Sequence, residues 1–475
     1  MDMARQINIL DETRKPYATI FMLAWPVFVE QISTTLVNFV DAAMVGSLGK
    51  EATASISISS SPNMAVVGII TALGVGITAS VAKATGAGDD KLVRRLMRQA
   101  LLLAMYIGVP AALAMALLCR MIPLWMGADS SILDTASQYQ LIISIGRIFS
   151  FTAICLHAGF RGYGDTRSPM KANLALNGVN VVGNFLLIFP TRTITLWGFS
   201  FTMPGAGWGV AGAGIATATA MLISCSIALY NAFKTSNPYR IRLEGKHWYK
   251  PEQILTRGVL KISLPAMLER LCLAPADILV SSSVALLGTA SIAARSLCTT
   301  AESLSFMPAF AFQTAITTLV GQSYGAKKPL LADRFIGASI RIASAVMFFT
   351  GLALFVFAEQ IIGVFTPDQE VIAIAAVCLR VEASIQVPQV IGWIYSGALR
   401  GMGNTKTGFY LNAITSWCIR APAMIISIRL MGLTLVQAYW WIGFEIAVRS
   451  LLFHFCYRKY RKTVAAQFAQ EESAV

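Results

Sequence analysis

The sequence predicts an all-α integral membrane protein with 12 transmembrane helices, built as two six-helix bundles related by a parallel internal repeat. Three observations carry that prediction. The 475 residues are 56% hydrophobic and only 13% charged, with a mean hydropathy of +0.63, far from the ~25% charged residues of a soluble domain. The apolar residues fall into twelve runs, each long enough to cross a ~30 Å hydrocarbon core as a helix. The second half also lies on the first at one offset of 239 positions. Pro265 and Glu269 fall on Pro26 and Glu30, Leu287-Gly288 on Leu48-Gly49, Gly325-Ala326 on Gly86-Ala87, Arg400-Gly401 on Arg161-Gly162, and Asn412 on Asn173. One register held this long marks a duplicated unit rather than a solenoid, and such halves commonly face each other across a central cavity.

In order, the runs of the first half lie near 17–45, 56–82, 96–118, 133–158, 170–190 and 210–233. Those of the second half lie near 259–287, 291–320, 335–358, 370–397, 408–428 and 432–456. Lipid offers unpaired backbone groups no partner, so helices are required. The runs are continuous rather than alternating, which excludes a β-barrel. Residues 1–16 mix acidic and basic groups and the first run exceeds a signal-peptide core, so it reads as a retained first helix. The stretch near 190–209 has no counterpart in the second half and reads as an external loop. The expected lobes are 1–233 and 258–475, joined by a basic cytoplasmic connector, 234–257, that carries Asn237-Pro238. Six helices per lobe is an even number, so the lobes share one orientation and the repeat axis runs along the membrane normal.

A net charge of +14 resembles a nucleic-acid signal until its distribution is considered. Of 38 Lys and Arg residues, 28 lie at the termini and in the even-numbered loops, and the odd-numbered loops hold only Lys50, Arg120, Arg192 and Arg429. That asymmetry is the positive-inside rule and places both termini in the cytoplasm. The partners it implies are the lipid bilayer and its anionic headgroups, with no nucleic acid. The eight cysteines lie in or beside spans without metal-like spacing, and His157, His247 and His454 form no metal motif. No phosphate-cradling loop and no nucleophile elbow is present. No cofactor is expected, and an ion gradient becomes the default energy source.

Buried carboxylates hold most of the functional information, because an acid at a helix centre costs ~2.5–3.5 kcal/mol on insertion scales. On the first helix Glu30, Thr34, Asn38 and Asp41 fall within about 80° of one another and form a polar stripe. Glu269 and Asp277 form a comparable stripe below Pro265, while Glu302 precedes Pro308 and Glu382 precedes Pro388. Plainer readings compete. Glu269 adjoins Arg270 and Glu382 lies near Arg380, so either could be a structural ion pair. Asp165 and Asn404, in matching basic loops, read as turn residues.

The residues then resemble a known family, the multidrug and toxic compound extrusion (MATE) transporters. The resemblance rests on WPVFVEQISTTLVNFVDAAMVGSLG (25–49), RGYGDTRSPMKANL (161–174), NVVGNFLLIF (180–189), GVAGAGIATA (209–218), LPAMLERL (264–271), AESLSFMPAFAFQTAITTLVGQSYGA (301–326) and LRGMGNTKT (399–407), in this order. It implies a V-shaped cavity and efflux of amphipathic, often cationic organic compounds, in exchange for H⁺ or Na⁺, by a monomer in the cytoplasmic membrane. It also implies that Asp41 takes the coupling cation together with groups matching Asn180, Asn184 and Thr217. One branch of the family has Asp where this chain has Asn184, so a two-carboxylate site is not complete here. Glu269 matches a common acid on helix seven, and Glu302 matches the ESLSFMP segment.

The sequence-level expectation is therefore a cation-coupling and substrate-binding set of Asp41, Asn38, Asn180, Asn184, Thr217, Glu30, Glu269 and Glu302. Neutralising Asp41 would alter its hydrogen bonds to Asn38 and Asn180 and bias the first helix between two packings. A lipid or lipid-linked oligosaccharide flippase is the alternative, disfavoured because the intramembrane arginines are scattered along the sequence. A polytopic membrane enzyme would need clustered catalytic residues near one interface.

Overall fold

The computed structural model describes residues 14–196, 199–243 and 248–473. The reading of the first thirteen residues, and His247, lie outside the described residues. The long helices among the described residues are α1 Pro16–Gly46, α2 Lys50–Gly86, α3 Asp90–Leu117, α4 Ser130–Gly162, α5 Arg167–Leu187, α6 Gly209–Phe233, α7 Gln253–Ala285, α8 Thr289–Gly325, α9 Pro329–Val356, α10 Gln369–Gly401, α11 Thr405–Leu430 and α12 Leu435–Ser473. Each apolar run maps onto one of them in order. Nine of the described helices are long and apolar enough to cross a membrane. The other three, α5, α7 and α12, are of similar length but carry more polar and charged side chains.

Local chemistry sets the ends and the irregularities. The Asp129 carboxylate accepts the Ser131 N–H at 3.0 Å ahead of α4, and Asp368, 239 residues later, accepts the Glu370 N–H at 2.9 Å ahead of α10. Asp165 and Asn404 are the turn residues expected of them: Asp165 accepts the Ser168 N–H at 2.9 Å and Asn404 the Thr407 N–H at 3.2 Å. Gly164 and Gly403, one residue before each, have φ of +95° and +83°, which only glycine adopts without strain. π-Turns interrupt α3 at Ala104–Gly108 and α11 at Ser416–Arg420. Pro110 and Pro422 follow two residues later; each lacks the N–H that would close the preceding turn and crowds it, so the turn widens.

The stretch expected as an external loop is a β-hairpin. Strands β1 Pro190–Leu196 and β2 Phe199–Ala206 pair antiparallel, with Thr193 opposite Thr202 and Ile194 opposite Phe201. The alternation TRTITL has the period of a strand and is rich in β-branched residues, a signal that the search for helical runs passed over. The Arg192 guanidinium lies 3.8 Å from the Phe189 ring centroid and ties the hairpin to the end of α5.

The described chain divides into two compact units. The first comprises Val29–Ile77 and Asp90–Leu260; the second takes α1 through Phe28, Thr78–Asp89 and the chain from Lys261 onward. These boundaries differ from the expected lobes, since α1 and α2 each change unit within the helix and the connector belongs to the first unit. Phe151, Leu156, Phe160 and Met97 are fully buried in the first unit. In the second, Ile316, Leu319, Phe335, Ile394 and Leu399 form a core that also takes in Ile20 and Leu23. Small residues let the backbones approach, the main packing device available within a bilayer. A side-chain carbon on Gly86 would fall 1.9 Å from the Gln322 carbonyl oxygen, and one on Gly325 would fall 2.1 Å from that of Lys83, all within the second unit.

The connector is fastened to α3. Arg94 Nε donates to the Pro238 carbonyl at 3.0 Å, Tyr106 donates to that of Tyr249 at 3.3 Å, and Glu252 is ion-paired to both Arg95 and Arg98. Hydrogen bonding from Arg95 holds the Glu252 carboxyl below its usual 4.5. A carboxyl lowered in the fold contributes above its unfolded value and stops contributing as pH falls through the lowered one. Hydrogen exchange of the described connector amides should therefore be several-fold faster in Glu252→Gln than in wild type at pH 7. The two proteins should converge as pH falls through that lowered value; equal rates at pH 7 would show that the clamp does not hold the connector.

Candidate functional site

The duplicated frame keeps one polar cluster intact in each half. Glu30 on α1 accepts hydrogen bonds from Arg161 at 2.6 and 2.8 Å and from Asn173 at 2.7 Å. Glu269 on α7 accepts from Arg400 at 3.1 Å and Asn412 at 2.9 Å. Every member lies 239 residues from its mate. Both glutamates are 7% exposed, so each carboxylate is out of water and its two donors satisfy it. Each cluster fastens the first helix of its half to the fourth and fifth. The ion pair of Glu269 is with Arg400 rather than the adjacent Arg270. The structure thus places Glu30 and Glu269 each in an ion pair within its own half.

Asp41 sits elsewhere on α1, in the first unit. The Asn184 amide donates to one of its carboxylate oxygens at 2.6 Å. With the Asn180 amide oriented to satisfy its neighbours, its nitrogen donates to both carboxylate oxygens at 2.8 and 3.0 Å and its oxygen accepts from Thr217 at 3.0 Å. Asn180 and Asn184, each 2% exposed, stand one turn apart on α5, and Thr217 stands on α6. Four of the residues singled out in the sequence therefore meet in one place. An aspartate at position 184 would bring a second negative charge against Asp41; the asparagine brings an N–H donor. Asn38 does not join the cluster: it is exposed, and its side chain makes no hydrogen bond to a described residue.

The second unit holds a different set. Glu302 on α8 and Glu382 on α10 act electrostatically on each other. Arg380, the neighbour suggested for Glu382 by sequence, pairs with Glu359 at 3.0 Å instead. Arg420 pairs with Asp277 at 3.2 Å, and Arg449 with Glu445 at 3.3 Å. Arg420, Arg295 and Glu445 also act electrostatically on Glu382. Four of the intramembrane arginines that look scattered in the sequence, Arg295, Arg380, Arg420 and Arg449, thus stand near acids. Glu445 is fully buried and went unnoticed in the sequence because nothing near it in the chain carries a motif.

None of these groups is repeated. The position 239 residues after Asp41 is Val280, and the positions matching Asn180, Asn184 and Glu382 are Ile419, Ala423 and Ile143. Duplication has kept the clasps and let these other polar groups diverge. Residues 26–186 and 265–426, more than half of the chain, match the MatE family model, and the two matches begin 239 residues apart. The chain belongs to the MATE family. It is accordingly a multi-pass membrane protein of a transporter family and not an enzyme. Among its MATE relatives, the probable multidrug resistance protein NorM of Thermotoga maritima is 29% identical over 435 residues, covering 90% of this chain and 89% of that one. The multidrug resistance protein PmpM of Pseudomonas aeruginosa is 25% identical over 422 residues, covering 89% and 85%. A MATE crystal structure in the straight conformation shares the fold with a TM-score of 0.88 over 98% of this chain and 99% of that one, at 21% identity. A Pyrococcus furiosus transporter of the wider superfamily, described as having a binding pocket of reverse polarity, does so at 0.83 and 20% identity, covering 98% and 99%.

Proposed function

We propose that this MATE protein is a secondary active multidrug antiporter. It exports amphipathic, often cationic organic compounds in exchange for H⁺ or Na⁺, as a monomer in the cytoplasmic membrane with both termini in the cytoplasm. The observation that carries the reading is the convergence of two buried amides, one of them bonded in turn to the Thr217 hydroxyl, on the single carboxylate of Asp41. A proton or Na⁺ on Asp41 removes the charge that attracts an organic cation, and the cation's ammonium competes for the same oxygens. Because Asn180 and Asn184 on α5 bond Asp41 on α1, a change of charge there is felt by two helices, which gives the alternation of access a lever. Competition for one charge couples the two fluxes, and the coupling is reciprocal. An inward-moving charge supplies ~2.3 kcal/mol per 100 mV, enough for about a 40-fold substrate gradient. The names of the multidrug resistance relatives support the substrate class.

Purified protein in liposomes loaded with a fluorescent organic cation tests this. Imposing a pH gradient and a Na⁺ gradient separately should give rapid dye efflux under one of them. Lipid scrambling in the same vesicles, with no gradient-driven dye flux, would favour a flippase instead.

A further inference from the structure

The first unit contains a partly buried positive charge that the proposed antiport does not use. Arg147 stands midway along α4, at the depth where an arginine is costly and by default functional. Arg161, Arg400, Arg420 and Arg449 each meet a carboxylate within 3.3 Å. Arg147 forms no ion pair with a described residue, and its buried Nε has no hydrogen-bond partner. The charge also departs from the duplicated frame: 239 residues later stands Gln386, a neutral residue bonded to Ser305 at 2.6 Å.

Its surroundings belong to the Asp41 site. Tyr139 stands two turns before Arg147 on α4, toward the end to which helical side chains lean. The Tyr139 hydroxyl feels the charges of both Arg147 and Asp41. Its ring lies 3.3 Å from where a side-chain carbon on Gly214 would sit, one turn from Thr217 on α6. Gly146, beside Arg147, presses on Ala218 of the same helix, 2.9 Å from where its own side-chain carbon would be. One lobe thus presents, around the Thr217 stretch of α6, a carboxylate with two amide donors and, apart from it, an unpaired guanidinium with a phenol.

We propose that Arg147 and Tyr139 form an anion subsite of the N-terminal lobe, and that compounds with a carboxylate as well as a cationic centre are bound there, the carboxylate on Arg147 and the cation on Asp41. This rests on the transport reading above for its physiological meaning, but binding alone tests it. The guanidinium fork matches a carboxylate's two oxygens, and Tyr139 supplies a further donor.

Rhodamine B, which has a free carboxylate beside its delocalised cation, and its ethyl ester, which has the cation alone, differ only at this group. Their affinities for the purified full-length chain would be measured by fluorescence polarisation, with flux of the ester followed separately in liposomes. The wild type should prefer the free acid over the ester about ten- to hundredfold more than Arg147→Gln does, the size of one or two charge-assisted hydrogen bonds. Arg147→Lys, which keeps the charge but not the fork, should retain an intermediate preference and covers the case in which the glutamine variant does not fold. A wild type without preference for the acid, a wild type that binds neither dye, or an Arg147→Gln protein that keeps the preference would each overturn the subsite. Selective binding without gradient-driven flux of the ester would instead count against the transport reading and leave the subsite standing.

Discussion

Arg161→Ala and Arg400→Ala should each lower the unfolding free energy in detergent by about 2–4 kcal/mol. The figure is that for breaking a buried pair, reduced because the two arginines are 22% and 16% exposed at the side chain. Removing the arginine leaves Glu30 or Glu269 with one amide donor and an uncompensated charge in a place closed to water. The double changes Glu30→Gln with Arg161→Gln, and Glu269→Gln with Arg400→Gln, should cost less than the single arginine changes, since no charge is then stranded. Thermal unfolding of the four variants measures both effects. Single changes costing less than 0.5 kcal/mol would mean that the repeated clusters do not fasten the first helix of each half. The matching geometry in the two halves adds a further expectation, that the two losses are of similar size and additive, because the clusters share no partner.

Asp41→Asn is the second large effect, expected on function rather than on folding. The asparagine retains an oxygen for the Asn180 and Asn184 donors, so the fold should survive with little change in melting temperature. It holds no charge for an ion to neutralise, so gradient-driven efflux should fall by two orders of magnitude or more. The same change at Asp277, whose side chain is 55% exposed and faces Arg420, should leave efflux within a few-fold of wild type. Full coupled efflux by Asp41→Asn would move the coupling site to the Glu302–Glu382 pair. Loss of efflux in Asp277→Asn alone would assign it to the arginine-paired acids of the second unit.

Both variants turn on features legible in the sequence to different degrees. The spans, their order and the repeat follow from hydropathy and a constant offset, because the bilayer imposes a single length scale and duplication preserves register. Asp41, Asn180, Asn184 and Thr217 could be brought together because a family motif names each. The partners of Glu30 and Glu269 were in view, since Arg161 and Asn173 keep the same separations from Glu30 as Arg400 and Asn412 keep from Glu269. Pairing them needed the further step of reading a repeated polar set as a contact. The carboxyl pair of Glu302 and Glu382, the meeting of Arg420 with Asp277, and buried Glu445 had no such signal. They join residues on different helices, without repeat mates, in helices apolar nearly all round, where periodicity does not reveal which face meets which neighbour. The β-hairpin shows the complementary limit, its two-residue alternation lying within a chain read for helices.

Competition of ion and organic cation for Asp41 is tested most directly in reverse, with no ion gradient imposed. Liposomes with equal pH and equal Na⁺ on both sides would receive an outward gradient of the fluorescent cation, and ion movement would be followed by a pH-sensitive dye and a Na⁺-sensitive dye. Inward movement of one ion, in fixed proportion to cation leaving and abolished by Asp41→Asn, is the expected result. Cation leaving at the same rate with neither ion moving would contradict exchange at a shared carboxylate.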